Sequence, residues 1–237
     1  MVAQVTDLAT VDAQDLPTRD VNAAIRDAIA GGAREVHVRN PAGRHSLAVA
    51  LRTDAKVVFE GSTGWYTAGM NTGAHVVVNG NTGWGLGECM MHGRIEIHGQ
   101  AGSGVAASIR GGTVYVAGDT AARAGIAMKG GALVVGGTVG YMSGFMMQRG
   151  TIVVCGDAAD GLGDSMYEGT IFVGGSVASR GADAEIEETT DEDLAMLGGL
   201  LGPLDIDADA FDFTKIRSGR KLWNFSTKEP ELWKSAL

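Results

Sequence analysis

Few residues of this chain stand where their types and spacing could do chemistry. Asp119 and Asp157 share one phase of a repeat, two units apart. In a stacked fold their carboxyls would lie roughly 10 Å from each other, near the separation of an inverting glycosidase. Acidic residues at that phase also suit a turn, and Thr138 falls between them, so the turn is the better reading. Gly83-Trp84-Gly85-Leu86-Gly87 spells GxGxG, and Gly102 to Ala107 matches GxGxxA. A dinucleotide fingerprint needs a helix N-terminus beneath the pyrophosphate. Only three residues separate Ala107 from Gly111-Gly112, so no such helix follows. The P-loop signature is absent. Five histidines (His37, His45, His75, His92, His98) fall at different phases and form no zinc-binding pair on a helix. Cys89 and Cys155 have neither metal-ligand spacing nor a neighbouring base, and read as small buried residues rather than nucleophiles.

What could position any of these residues is a repeat of 19. Gly61, Gly80, Gly99, Gly118, Gly137, Gly156 and Gly175 form an unbroken series at that spacing. Gly93, Gly112, Gly131, Gly150 and Gly169 form a second, and Ala68, Gly87, Ala106, Gly125, Gly144 and Gly163 a third. One apolar column runs Val57, Val76, Ile95, Val114, Leu133, Ile152, Ile171. Another, two residues later, runs Phe59, Val78, Ile97, Val116, Val135, Val154, Val173. Period-2 alternation makes these one face of a short strand. The residues between them (Val58, Val77, Glu96, Tyr115, Val134, Val153, Phe172) vary as an outward position does, so Val134→Asp should be tolerated where Val135→Asp is not. Two further columns follow: Leu86, Val105, Ala124, Ser143, Leu162, and Met90, Ile109, Met128, Met147, Met166.

Nineteen residues are too few for a βαβ unit. They suit one coil of an all-β fold: a single-stranded, right-handed parallel β-helix of about seven coils, with glycine corners and columns of like residues stacked along the axis. The expected division is 1–35 for an N-terminal segment with a capping helix (Asp20 as N-cap, Gly31 just past its end), 36–182 for the β-helix, and 183–237 for an acidic linker, a short helix and an aromatic tail. That helix begins at Thr190-Asp191-Glu192-Asp193, a capping-box pattern, and stops at Gly202-Pro203. The last segment, with Phe211, Phe213, Ile216, Leu222, Trp223, Phe225 and Trp233, either packs on the solenoid or docks to a partner. Trp65, Tyr66, Trp84 and Tyr141 fall at adjacent phases, as an exposed aromatic strip for a partner or as corner packing.

Composition bounds the function. Glycine supplies 37 of 237 residues, about twice its usual share of roughly 7%. The net charge of −9 argues against nucleic acid or an anionic membrane as partner. Met1 to Pro17 lacks the basic start and apolar run of a signal peptide, and no apolar stretch approaches bilayer length, so a soluble, cytoplasmic chain is expected.

The glycine repeat, with Gly83-Trp84-Gly85-Leu86-Gly87 and units such as Gly150 to Gly156, resembles the GXGXG β-helix domain of the glutamate synthase family. The resemblance spans 36 to about 225, including the tail Gly219 to Phe225. In glutamate synthases this domain is fused behind amidotransferase and FMN-binding domains; here it begins at Met1, which implies partners on separate chains. Ser62 to Tyr66, Ala68 to Asn71 and the tail bring it nearest to the stand-alone β-helix subunits of N-methylglutamate synthases. The β-helix subunit of a related glutamate synthase-like complex is an alternative, and that of formylmethanofuran dehydrogenases is a more distant relative. The resemblance implies a non-catalytic scaffold in a hetero-oligomer with an FMN-binding synthase subunit and a class II glutamine amidotransferase-like subunit. FMN and an iron–sulfur cluster would sit on a partner, and no cofactor, metal or catalytic residue on this chain. Methylamine and glutamate would give N-methylglutamate and ammonia. Trp65, Tyr66, Trp84, Trp223, Phe225 and Trp233 are the candidate partner contacts. The competing class is a carbohydrate-active β-helix enzyme using Asp119 and Asp157.

Overall fold

The computed structural model describes residues 7–220. Its centre is a parallel β-helix of about seven turns, built on one sheet. Strands β1 (Leu8–Asp12), β2 (Glu35–Arg39), β3 (Lys56–Glu60), β4 (Thr72–Val78), β5 (His92–Ile97), β6 (Thr113–Val116), β7 (Lys129–Val135), β8 (Arg149–Val154) and β9 (Thr170–Val173) pair in chain order, all parallel. From β3 onward the register joins residues one repeat apart: Val57 faces Val76, Val76 faces Ile95, and so on to Ile152 and Ile171. Both strand columns, the column from Leu86 to Leu162 and the methionine-rich column from Met90 to Met166 are buried in the interior. Flexible methionines and β-branched residues fill so narrow a bore without large rings.

The corner glycines serve close approach more than backbone freedom. Of the seven at 61 to 175, only Gly61 has a positive φ, +133°. The others stack: the N–H of Gly118 donates to the carbonyl of Gly99 at 2.9 Å, and the contact recurs through Gly137, Gly156 and Gly175. A Cβ on Gly99 would lie 2.3 Å from Asn81 Oδ1 and 2.7 Å from the Gly80 oxygen, so no larger residue fits.

The ends are closed by different devices. Before the solenoid, α1 (Thr18–Ala30) bridges β1 and β2 and buries Val21 and Ile25 against the first coil. Its N-cap position is Pro17 rather than Asp20, which lies in the first turn where its charge suits the helix dipole. Gly31 is the C-cap residue with helical φ, and the left-handed exit falls on Gly32 at +103°.

At the far end α2 (Asp191–Leu201) starts as expected: Thr190 accepts from the Asp193 N–H and the Asp193 carboxylate accepts from the Thr190 N–H, a closed capping box. Strand β11 (Thr214–Ser218) then pairs antiparallel with β9, and β10 (Ala184–Glu187) pairs antiparallel with β11. The acidic run finds its counter-charge here: Glu185 lies opposite Arg217 and Glu187 opposite Lys215.

One expectation is overturned. Val134, Val153 and Phe172 point away from the bore but are fully buried. Leu197 and Leu201 of α2, with Phe211 and Phe213, pack over them as a second core, Phe213 meeting Phe172 edge-on at 6.5 Å. The outward face of the last strands is thus a helix-packing surface, and Val134→Asp should not be tolerated. Phe211, Phe213 and Ile216 pack on the solenoid; Leu222, Trp223, Phe225 and Trp233 lie outside the described residues.

Candidate functional site

Opposite the strands, each coil runs through an arc that is not β-structure. In the arc of residues 84–90, Gly85, Gly87 and Cys89 are all left-handed, at φ +67°, +67° and +58°. These left-handed residues send their N–H groups to the neighbouring coils in turn: Gly85 and Cys89 donate forward to Ser103 and Ala107, and Gly87 donates back to Thr67. Equivalent arcs place non-glycine residues in this region, among them Tyr66 at +58°, Met70 at +54°, Arg123 at +61° and Met146 at +53°. Such a conformation costs an L-residue about 1–2 kcal/mol.

These arcs display side chains to solvent. Among the described residues, Trp65, Tyr66, Met70, Trp84, Met91, Tyr141, Met146 and Tyr167 are exposed, and all fall on the arc and the residues just after it. Trp65, Trp84, Ser103, Ala122 and Tyr141 form one column. Its first two rings stack on each other with centroids 5.6 Å apart, and His45 stacks beneath Trp65 at 4.5 Å while its Nδ1 accepts the Trp65 N–H. His45 escapes a search at spacing 19 because it lies 20 residues before Trp65, in a first coil whose strands β2 and β3 pair 21 residues apart. Beyond Trp84 the column has no ring until Tyr141. The gap is a shallow groove of about 520 Å³ lined by Tyr66, Trp84, Glu88, Ser103, Arg123 and Tyr141, among others.

The strand face carries the ion pairs. Glu35 accepts from His37 and Lys56, and Glu96 is shared by His75, Arg94 and His98. Hydrogen bonds from His37 and then Lys56 hold Glu35 below the usual carboxylate range. Burial would raise the pKa of Glu96, but the Arg94 guanidinium and His75 outweigh it and hold it low.

The two aspartates are corner fittings. Asp119 Oδ1 accepts the N–H of Thr138 one coil on at 2.8 Å, and Asp157 Oδ1 accepts from the N–H and hydroxyl of Ser176 at 2.7 and 2.9 Å. Ser62 accepts the Asn81 N–H and Asn81 the Gln100 N–H in the same way. Short polar side chains at this phase are therefore inter-coil acceptors, and the Ser176 bonds hold Asp157 below its ordinary pKa. Burial raises the Cys155 thiol pKa, so the sulfur stays protonated and unreactive; Cys89 is half-buried in its arc rather than fully enclosed.

Among the described residues no group of three His, Cys, Asp or Glu side chains is placed to hold a metal ion, and no helix is long and apolar enough to cross a membrane. No protein-family model and no curated protein matches the chain.

Proposed function

We propose that this chain is the scaffold subunit of a heteromeric, FMN-dependent glutamate synthase-like enzyme, of the kind that makes N-methylglutamate from methylamine and glutamate. Its arc face is the surface on which the FMN-binding synthase subunit or the amidotransferase-like subunit docks. The observation that carries this reading is the exposed aromatic and methionine face. Contiguous apolar surface of this kind marks interaction sites, and Tyr66, Met70 and Met146 hold their side chains there from left-handed backbone positions that disfavour them. The GXGXG pattern supplies the choice of complex, and FMN and the iron–sulfur cluster belong on a partner.

The test is co-expression with a flavin-binding synthase subunit and an amidotransferase-like subunit. The expected product is a flavin-containing hetero-oligomer that converts methylamine and glutamate to N-methylglutamate and ammonia, while the isolated chain holds no flavin. Replacing Trp65 and Trp84 together by serine should lower the recovered complex without unfolding the chain, because both side chains are exposed. Cleavage of a polysaccharide by the isolated chain, lost on Asp119→Asn, would replace this reading with the carbohydrate-active one.

A further inference from the structure

We infer that the notch between Trp84 and Tyr141 takes an arginine side chain of a partner protein, the guanidinium continuing the ring stack on Trp84 and its charge meeting Glu88. This deepens the docking reading of the arc face and rests on it.

The stack His45–Trp65–Trp84 has interplanar angles of 10° and 17°, so the rings lie nearly parallel and step along the solenoid axis. It ends with one face of Trp84 turned toward the next rung, where the column holds only Ser103 and then Ala122. Tyr141 resumes the column three coils on, about 14 Å away at the inter-strand spacing. Two rungs are therefore vacant between two rings, each of a height that suits a planar group. The floor is open: a Cβ on Gly104 would meet nothing within 4 Å.

Charge decides which planar group. At Gly85, the residue after Trp84, a Cβ would meet the Tyr66 ring at 2.7 Å and Glu88 Oε2 at 3.2 Å, so ring and carboxylate both lie beside it. Among the described residues neither Glu88 nor Arg123 is in an ion pair. An uncommitted carboxylate thus lines the same groove as the Trp84 ring, the combination that holds a guanidinium by stacking and hydrogen bonding together. Arg123 lines the far end of the same groove, two coils on toward Tyr141, and its charge favours a guanidinium at the Glu88 end. The chain's net charge of −9 favours a cationic visitor at longer range.

The probes are three capped peptides, acetyl-Gly-Arg-Gly-amide and its lysine and aspartate counterparts, titrated into the full chain while the Trp84 indole N–H resonance is followed. The arginine peptide should shift that resonance saturably, the lysine peptide more weakly and the aspartate peptide not at all. Glu88→Gln, which keeps the side chain's size and leaves the backbone ladder intact, should weaken arginine-peptide binding roughly 5-fold. No shift at Trp84, equal shifts from arginine and lysine, or indifference to Glu88→Gln would overturn the assignment. The titration needs no flavin subunit, so it fails or succeeds separately from complex assembly.

Discussion

Lys215 is the one lysine among the described residues that is buried, and its Nζ lies 2.7 Å from Asp193 Oδ2. Burial would raise the Asp193 pKa, but the Lys215 hydrogen bond and the Thr190 cap outweigh it and hold it below the usual range. Asp193→Asn leaves the ammonium short of its partner and should cost about 1–3 kcal/mol in denaturant unfolding. The pH dependence has a definite sign. With folded-state pKa values depressed at Asp193, Glu35 and Glu96, the unfolded chain binds more protons in acid. Their contribution is complete above the ordinary carboxylate pKa of about 4 and is lost as pH falls through the lower folded values. Thermal melts from pH 7 to pH 2 should therefore show stability declining below about pH 5, and a flat profile would contradict these ion pairs.

Within a coil, strand, corner and arc obey different rules, and substitutions separate them. Gly104 sits in an arc at φ +68° with open space about it, whereas Gly99 sits at a corner against the backbone of the preceding coil. Gly104→Ala should cost about 1 kcal/mol, the left-handed penalty alone. Gly99→Ala must also displace backbone atoms, and should cost several kcal/mol or prevent folding. Equal losses in urea melts would show that the corners are not close-packed. Val134→Asp should be as damaging as Val135→Asp, several kcal/mol for an unpaired buried charge, because the cap formed by Leu197, Leu201 and Phe213 lies over it.

The strand columns were legible in the sequence because a bore only a few residues wide constrains every nineteenth side chain alike. What covers the outside of the sheet was not. Val58 and Val134 occupy the same phase and both are buried, but Val134 packs under a segment far along the chain, Leu197 to Phe213, and a periodic pattern carries no record of that contact. The arc was half legible: its glycines and rings stood out, but the left-handed backbone at Tyr66, Met70 and Met146 is imposed by coils stacked above and below, against the local preference of those residues. The Trp84 notch was invisible for a different reason, since it is made by two small residues, Ser103 and Ala122, where rings are missing.

As a whole the molecule is a short rod with unlike sides. One side of the sheet carries ion pairs over its first strands and a packed helix over its last; the opposite arcs expose rings and methionines that no described segment covers. On the proposed reading the arc face would meet another protein, and the closely hydrogen-bonded coils would hold two attached subunits at a fixed distance. The most direct test is hydrogen–deuterium exchange of the full chain, free and within the assembled flavin-containing complex. Slowed exchange confined to the arcs, residues 65–72, 84–91 and 141–146, is the expected result. Protection on the strand face with the arcs unchanged, or no difference between free and assembled chain, would contradict the arc face as the docking surface.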